Sequence, residues 1–224
     1  MKQNKSWWIL LLLSLAVMLP FAAPYAKLDP DASRVALASG RWQYPILVAH
    51  IGFAMLAMLT GFAQFSERLR IRRPGLHRGL GRVYVICVAA GGALAIALVF
   101  YMDSFTKATA FLALSGVWLY ATWRGYRTAR ARRFDEHRIW MIRSFGMTLV
   151  AVSGRIVVPV LLLAYAAQHG FKLPGGREGM VAAVLDVNIW AGLVLNLIAV
   201  EWIVLRPRRA GGRQAAGDAG TPSV

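Results

Sequence analysis

Long apolar runs separated by short Arg-rich segments dominate the chain. A helix rises about 1.5 Å per residue, so a run of about 20 residues crosses the roughly 30 Å hydrocarbon core of a bilayer. Six runs approach or exceed that length. The pattern therefore predicts an all-α integral membrane bundle of six transmembrane helices, at Trp7–Ala23, Tyr44–Phe65, Val83–Met102, Ala108–Trp123, Ile139–Ala166 and Ala182–Leu205.

The first run has two interpretations. Lys2 and Lys5 ahead of it are typical of the basic start of a signal peptide. A cut after Ala26, however, would put Pro24 where a small residue is needed, which favours a retained helix or an uncleaved signal anchor. The predicted organisation is an N-terminal helix and periplasmic linker over 1–43, a five-helix membrane domain over 44–206, and a disordered basic cytoplasmic tail over 207–224.

Lys and Arg residues are unevenly divided between the two predicted sides of the membrane. The segments before the third and fifth runs, together with both termini, hold 18 of them, and the opposite side holds six. Cytoplasmic loops of membrane proteins carry the excess of positive charge. We therefore predict that both termini are cytoplasmic and that the protein is a multi-pass protein of the bacterial inner membrane.

Composition narrows the class of function. The chain is 58% hydrophobic and only 16% charged, with a net charge of +16. The positive-inside distribution and attraction to anionic lipid headgroups explain that charge, so we expect lipid partners and no nucleic acid. The single cysteine excludes a disulfide framework and a multi-cysteine metal site, and no metal site is predicted. Hydrolase and phosphate-loop motifs are absent from the sequence.

Ionisable residues within the apolar runs are expensive, so each one is expected to face the bundle interior or a watery cavity. In the outer half, Arg155, Asp186 and Asn188 form a predicted polar cluster. Arg155 ends a polar stripe along the fifth run. Residues three and four apart share a helix face, and this stripe comprises His137, Met141, Ser144, Thr148, Ala151 and Arg155.

Histidines at the inner ends of two runs are the strongest candidate ligands. His77 opens the third predicted helix and His137 opens the fifth, at about the same depth, and His50 is a third candidate inside the second helix. Neutral imidazole ligates haem iron. Four nearby arginines are candidates for binding an anion or haem propionates, although they could equally anchor the helices at the interface; these are Arg78, Arg82, Arg138 and Arg143.

The same segments resemble a known family, the prokaryotic predicted membrane proteins grouped as domain of unknown function 2306. The resemblance covers about Pro45 to Leu205, and it implies a membrane architecture without an activity. The segments that carry it are His50, then Arg70 to Gly75 followed by His77-Arg78 and Gly81-Arg82, and lastly His137-Arg138 with Trp140 to Ser144 and Arg155. The layout is also similar to b-type cytochrome bundles, which hold haem between histidines on neighbouring helices.

Three hypotheses follow. The first is a redox protein that binds b-type haem or quinone and exchanges electrons with a membrane redox partner. The second is a transporter of a small anion, linked to protons, in which Arg155 supplies the binding charge and His50 or Asp186 exchanges the proton. The third is a non-catalytic assembly or sensing protein. His50 has no second membrane histidine at its depth, so the haem hypothesis centres on His77 and His137.

Overall fold

The structure, a computed structural model, describes residues 5–35, 37 and 41–205 and is helical throughout that part of the chain. The predicted tail over 207–224 lies outside the described residues. Short 3-10 helices at Ala23–Lys27 and Pro30–Ala32 connect the first two α-helices. The α-helices are α1 (Lys5–Ala22), α2 (Gln43–Gln64), α3 (Glu67–Arg72), α4 (Pro74–Val99), α5 (Phe105–Arg130), α6 (Phe134–Thr148), α7 (Val150–Ile156), α8 (Val158–Gln168) and α9 (Gly176–Leu205).

Four to five segments of the described chain are long and apolar enough to cross a membrane. Lys5–Lys27, α2, α4 and α9 qualify directly, and α7 with α8 make a fifth if the pair, bent by 45°, is a single span. The prediction of six spans is therefore confirmed only as a multi-span helical architecture. The helix at the place of the fourth predicted span, α5, has 26 residues, but its polar residues leave it outside the apolar set.

The fifth predicted helix is broken, which corrects the sequence-based expectation of one helix over Ile139–Ala166. One break falls at Val157, where Pro159 starts α8; proline lacks the N–H for the helical ladder and clashes with the preceding turn. The other falls at Leu149. There the amide of Asn196 on α9 donates to the Gly146 carbonyl at 2.7 Å, and a side chain that engages the backbone ladder is a recognised cause of a kink.

Two helices extend beyond their apolar runs because their start signals lie earlier in the sequence. Pro74 occupies the first turn of α4, where its missing N–H costs nothing, so α4 begins well before Val83. The hydroxyl of Ser104 caps α5 by accepting the backbone N–H of Lys107. Helix α4 consequently carries its Arg-rich start as ordered helix, and α5 continues past its apolar run to end at Arg130.

The core lies between α2, α4, α5 and α6, with α9 packed along α6, α7 and α8. Helix α2 packs mainly on α4, and α5 packs between α4 and α6. Helix α1 contacts α7. Fully buried side chains in the core include Ala57, Tyr84, Val88 and Val150. This arrangement brings one face of α4 opposite one face of α6.

Candidate functional site

Five polar side chains form a buried network at the centre of the bundle. The hydroxyl of Tyr84 on α4 lies 2.7 Å from that of Ser144 and 2.9 Å from that of Thr148, both on α6. Helix α5 adds Thr122, 2.6 Å from Ser144, and Trp118, whose indole N–H donates to Thr148 at 2.9 Å. Unpaired polar groups are costly in this setting, and the network pairs these five with one another.

The protons of these five side chains are all taken up by acceptors within the protein. The hydroxyl of Thr122 donates to the Trp118 carbonyl, so Ser144 donates to Thr122. The single proton of Ser144 is then used, which makes Tyr84 the donor to Ser144. The hydroxyl of Thr148 has two acceptors within reach, the Tyr84 hydroxyl at 2.9 Å and the Ser144 carbonyl at 3.2 Å. Every hydroxyl proton is engaged, which indicates a structural role for the network.

Two helical turns from this network, toward the N-terminal ends of the helices, α4 carries His77 and α6 carries His137. Each is seven residues before its network residue, Tyr84 or Ser144, within a continuous helix. Seven residues are close to two full turns, so each histidine shares the face of its network residue about 10 Å nearer the N-terminal end of its helix. His137 is also close enough to His77 to interact with it electrostatically. The two predicted ligands thus lie at the same end of the bundle on facing helix faces.

The ring nitrogens of the histidines are held differently. His137 Nδ1 lies 2.8 Å from the carbonyl of Gly125 on α5, and His50 Nδ1 lies 2.8 Å from the carbonyl of Gly91 on α4. A carbonyl only accepts, so Nδ1 carries a proton in both rings and Nε2 is the ring nitrogen left to bind another group. His77 Nδ1 is buried and makes no hydrogen bond. His50 is fixed between helices far from the inner pair.

The four predicted arginines fall into two groups. Arg143 is committed within the protein: its Nε and Nη2 donate to the carboxylate of Glu201 on α9 at 2.7 and 3.0 Å, and its guanidinium stacks on Trp140. The other three are exposed around the inner ends of α4 and α6; these are Arg78, Arg82 and Arg138. They, rather than Arg143, are available to an anionic group beside the histidines.

The predicted outer cluster is divided among different partners. Asp186 forms an ion pair with Lys107 on α5 at 3.0 Å. Asn188 is buried beside α7, where its backbone carbonyl lies against Gly154. Arg155 turns toward the N-terminal segment, with its guanidinium carbon 4.6 Å from the centre of the Phe21 ring. The sequence predicted that these three residues lie close together, but each of them contacts different residues in the structure.

Histidine and carboxylate side chains in the described part of the chain do not gather in threes. A metal ion held by protein ligands alone usually needs three or four of them. The inner site offers two histidines.

Comparison with known proteins supplies the family. Residues 47–204 match the family described as "Predicted membrane protein (DUF2306)". The chain belongs to this family. No curated protein and no solved structure matches the chain significantly. The match to the family spans α2 to α9 almost completely, so both inner histidine motifs and the buried network lie inside the family region.

Some residues of this family member that matter in the structure lacked a clear sequence signal. Tyr84, Trp118 and Thr122 read as ordinary members of apolar runs, although the seven-residue spacing from His77 to Tyr84 matches that from His137 to Ser144. The pairing of Arg143 with Glu201 joins residues 58 apart in sequence. Such pairing depends on which helices are neighbours, and periodicity does not report that.

Proposed function

We propose that this family member is a redox protein of the inner membrane that binds one b-type haem at its cytoplasmic end, with His77 and His137 as the axial ligands. The observation that carries the proposal is the facing pair of histidines, two turns inward from the contact between Tyr84 and Ser144. Both ligands lie on long helices, and such elements hold a site more firmly than loops do.

The state of the His137 ring supports a role as a ligand. Histidines that bind a metal generally donate their second ring N–H to a carbonyl or carboxylate, which fixes the ring and raises the basicity of the ligating nitrogen. The Gly125 carbonyl accepts Nδ1–H of His137 in this way. The buried Nδ1 of His77 makes no hydrogen bond in the protein, so no protein contact of that nitrogen fixes the ring. Ligation of a bound group would fix it.

The surroundings of the pair suit an anionic cofactor at the membrane surface. One turn inward from Tyr84 stands Gly81, beside which the Gln64 amide lies, and one turn inward from Ser144 stands the flexible Met141. Arg78, Arg82 and Arg138 are exposed at the same end and are positioned to pair with propionates. When bound, haem supplies one-electron chemistry, and the half-exposed inner end would be where a membrane redox partner approaches.

Absorbance spectra test the proposal. The full chain is expressed in cells supplied with a haem precursor, purified in mild detergent, and measured oxidised and dithionite-reduced. We expect a Soret band and sharp reduced α and β bands in the wild type. His77→Leu and His137→Leu should each lose most of the bound haem. The matched control is His169→Leu, because His169 ends α8 and bonds only the Tyr165 carbonyl one turn earlier.

A second variant separates ligand loss from misfolding. His77→Gly should regain the reduced spectrum when imidazole is added, because free imidazole can occupy the space of the missing ring. A colourless wild type with intact helical content would overturn the proposal. Equal haem content in wild type and in both leucine variants would overturn the assignment of the ligands.

A further inference from the structure

A second site lies at the outer end of the bundle, around the side chain of Arg155. This arginine is on α7, inside the bent span, and is mostly covered by protein. One guanidinium hydrogen bond is defined, from Nη1 to the Ala151 carbonyl at 2.8 Å, and Nε is buried without any hydrogen-bond partner. A guanidinium has five N–H donors, so most of its capacity remains unused.

Neither Asp186 nor Asp29 forms an ion pair with Arg155, although the Asp29 carboxylate lies close enough to Tyr44 to interact with it electrostatically. Asp186 pairs with Lys107, and the carboxylate of Asp29 accepts the backbone N–H of Asp31. The group that interacts electrostatically with Arg155 is the Tyr25 phenol. A cation taken out of water without a counter-charge is costly, and inside a membrane protein that cost usually marks a functional site.

Further donors lie near Phe21 and Tyr25, the two residues of the N-terminal segment that neighbour Arg155. Arg34 lies against the Phe21 ring that Arg155 also contacts, at 5.2 and 4.6 Å from guanidinium carbon to ring centre. The backbone N–H of Arg34 donates to the Tyr25 hydroxyl at 3.2 Å. Tyr25 in turn stacks on Tyr44, whose hydroxyl is buried without a hydrogen-bond partner.

Arg34 and Arg155 bring two positive charges to one aromatic ring, and an anion bound beside the ring would lower their mutual repulsion. Arginine pairs bind carboxylate and phosphate oxygens through short, charge-assisted hydrogen bonds. We propose that Arg155 and Arg34, with the Tyr44 hydroxyl, form a binding site at the outer face for one anionic group, a carboxylate or a phosphate. The site is distinct from the inner histidines and does not depend on haem.

The bend beside Arg155 is consistent with such a site. Membrane transport proteins commonly place anionic groups at discontinuities of their spanning helices, where the backbone and side chains can reach them. Here α7 is only seven residues long, and the chain turns by 45° into α8 two residues after Arg155. The bound group would therefore be reached from the outer side, beneath the segment that carries Phe21 and Tyr25.

Binding to the full-length protein in neutral detergent tests this site. The probes are inorganic phosphate, sodium benzoate and mixed micelles that contain phosphatidylglycerol, each followed by the thermal midpoint of unfolding. We expect at least one probe to raise the midpoint of the wild type. Arg155→Gln should lower the affinity for that probe by about tenfold or more, because a charge-assisted hydrogen-bonded pair is removed. A matched control is Arg177→Gln, at an exposed arginine of the predicted outer side.

The pattern of response identifies the source of the anion. Stabilisation by phosphate or benzoate supports a soluble anion, whereas stabilisation by phosphatidylglycerol alone supports a lipid headgroup. Arg34→Gln, at an exposed position, keeps the test decisive if Arg155→Gln fails to fold, and it should also weaken binding. The proposal is overturned if no probe stabilises the wild type, or if Arg155→Gln and Arg34→Gln respond as the wild type does.

Discussion

At the scale of single residues, the protein depends on polar groups that satisfy one another in an apolar interior. Tyr84 illustrates this, since its hydroxyl joins Thr148 to Ser144 and is fully buried. Each partner loses a hydrogen bond if that oxygen is removed. The network thus joins three helices through residues that stand within apolar runs of the sequence.

Tyr84→Phe should lower the free energy of unfolding by about 1 kcal/mol, since hydrogen bonds inside membrane proteins contribute modestly and the hydroxyls left behind find partial replacements. The measurement is unfolding in mixed detergent micelles followed by circular dichroism. Tyr120→Phe is the control, because the side chain of Tyr120 is 50% exposed. Equal stability of the two variants would contradict the structural role assigned to the network.

At the scale of elements, helix neighbours are set by small residues as well as by polar pairs. Gly192 of α9 meets α7 so closely that a Cβ there would lie 2.7 Å from the Gly154 nitrogen and 2.9 Å from the Val150 carbonyl oxygen. Those atoms are backbone and cannot rotate away. Contacts of this kind allow membrane helices to approach closely.

Gly192→Ala should therefore destabilise the protein by about 1–3 kcal/mol, because α7 and α9 must separate to admit the methyl group. Gly116→Ala is the matched control. A Cβ at Gly116 has no heavy atom within 4 Å, and alanine is the better helix former, so this variant should be as stable as the wild type or more stable by up to about 1 kcal/mol. Unfolding in detergent, as above, compares the two. A Gly192→Ala protein as stable as Gly116→Ala would show that the crossing relaxes without cost.

The helices themselves were largely predictable from the sequence, and their breaks were only partly so. Apolar length is a local property, and it predicted both ends of α2 within one residue and the start of α9 within six, whereas α4 begins nine residues before the predicted start. The break at Val157 had a local signal in Pro159. The break at Leu149 arises from Asn196, which is distant in sequence. Arg155 likewise contacts a residue that is distant in sequence, Phe21, where the sequence had suggested Asp186.

At the scale of the whole molecule, the open question is which helices cross the membrane. Only five residues separate α4 from α5, and the two helices pack together along the core. If α4 crosses, α5 is therefore expected to return, although its apolar stretch is short. With both termini cytoplasmic, the Arg-rich ends of α3 and α5 would then lie on the same side.

Labelling of single cysteines with a membrane-impermeant maleimide in intact cells tests this topology. The background is Cys87→Ser, which removes a buried thiol. We expect Asp103→Cys and Lys172→Cys to react directly, because they lie in the predicted outer loops. Arg72→Cys and Arg130→Cys should react only after permeabilisation. Reaction of Asp103→Cys and Arg130→Cys from the same side would contradict the spanning of α5.

The hydroxyl network at the core has one further consequence. Its hydrogen bonds start at the Trp118 indole N–H and end at the main-chain carbonyls of Trp118 and Ser144. An indole N–H only donates and a carbonyl only accepts, so the network has no end group that can both take up and release a proton. These five side chains therefore offer no path along which protons could pass between the two sides of the bundle.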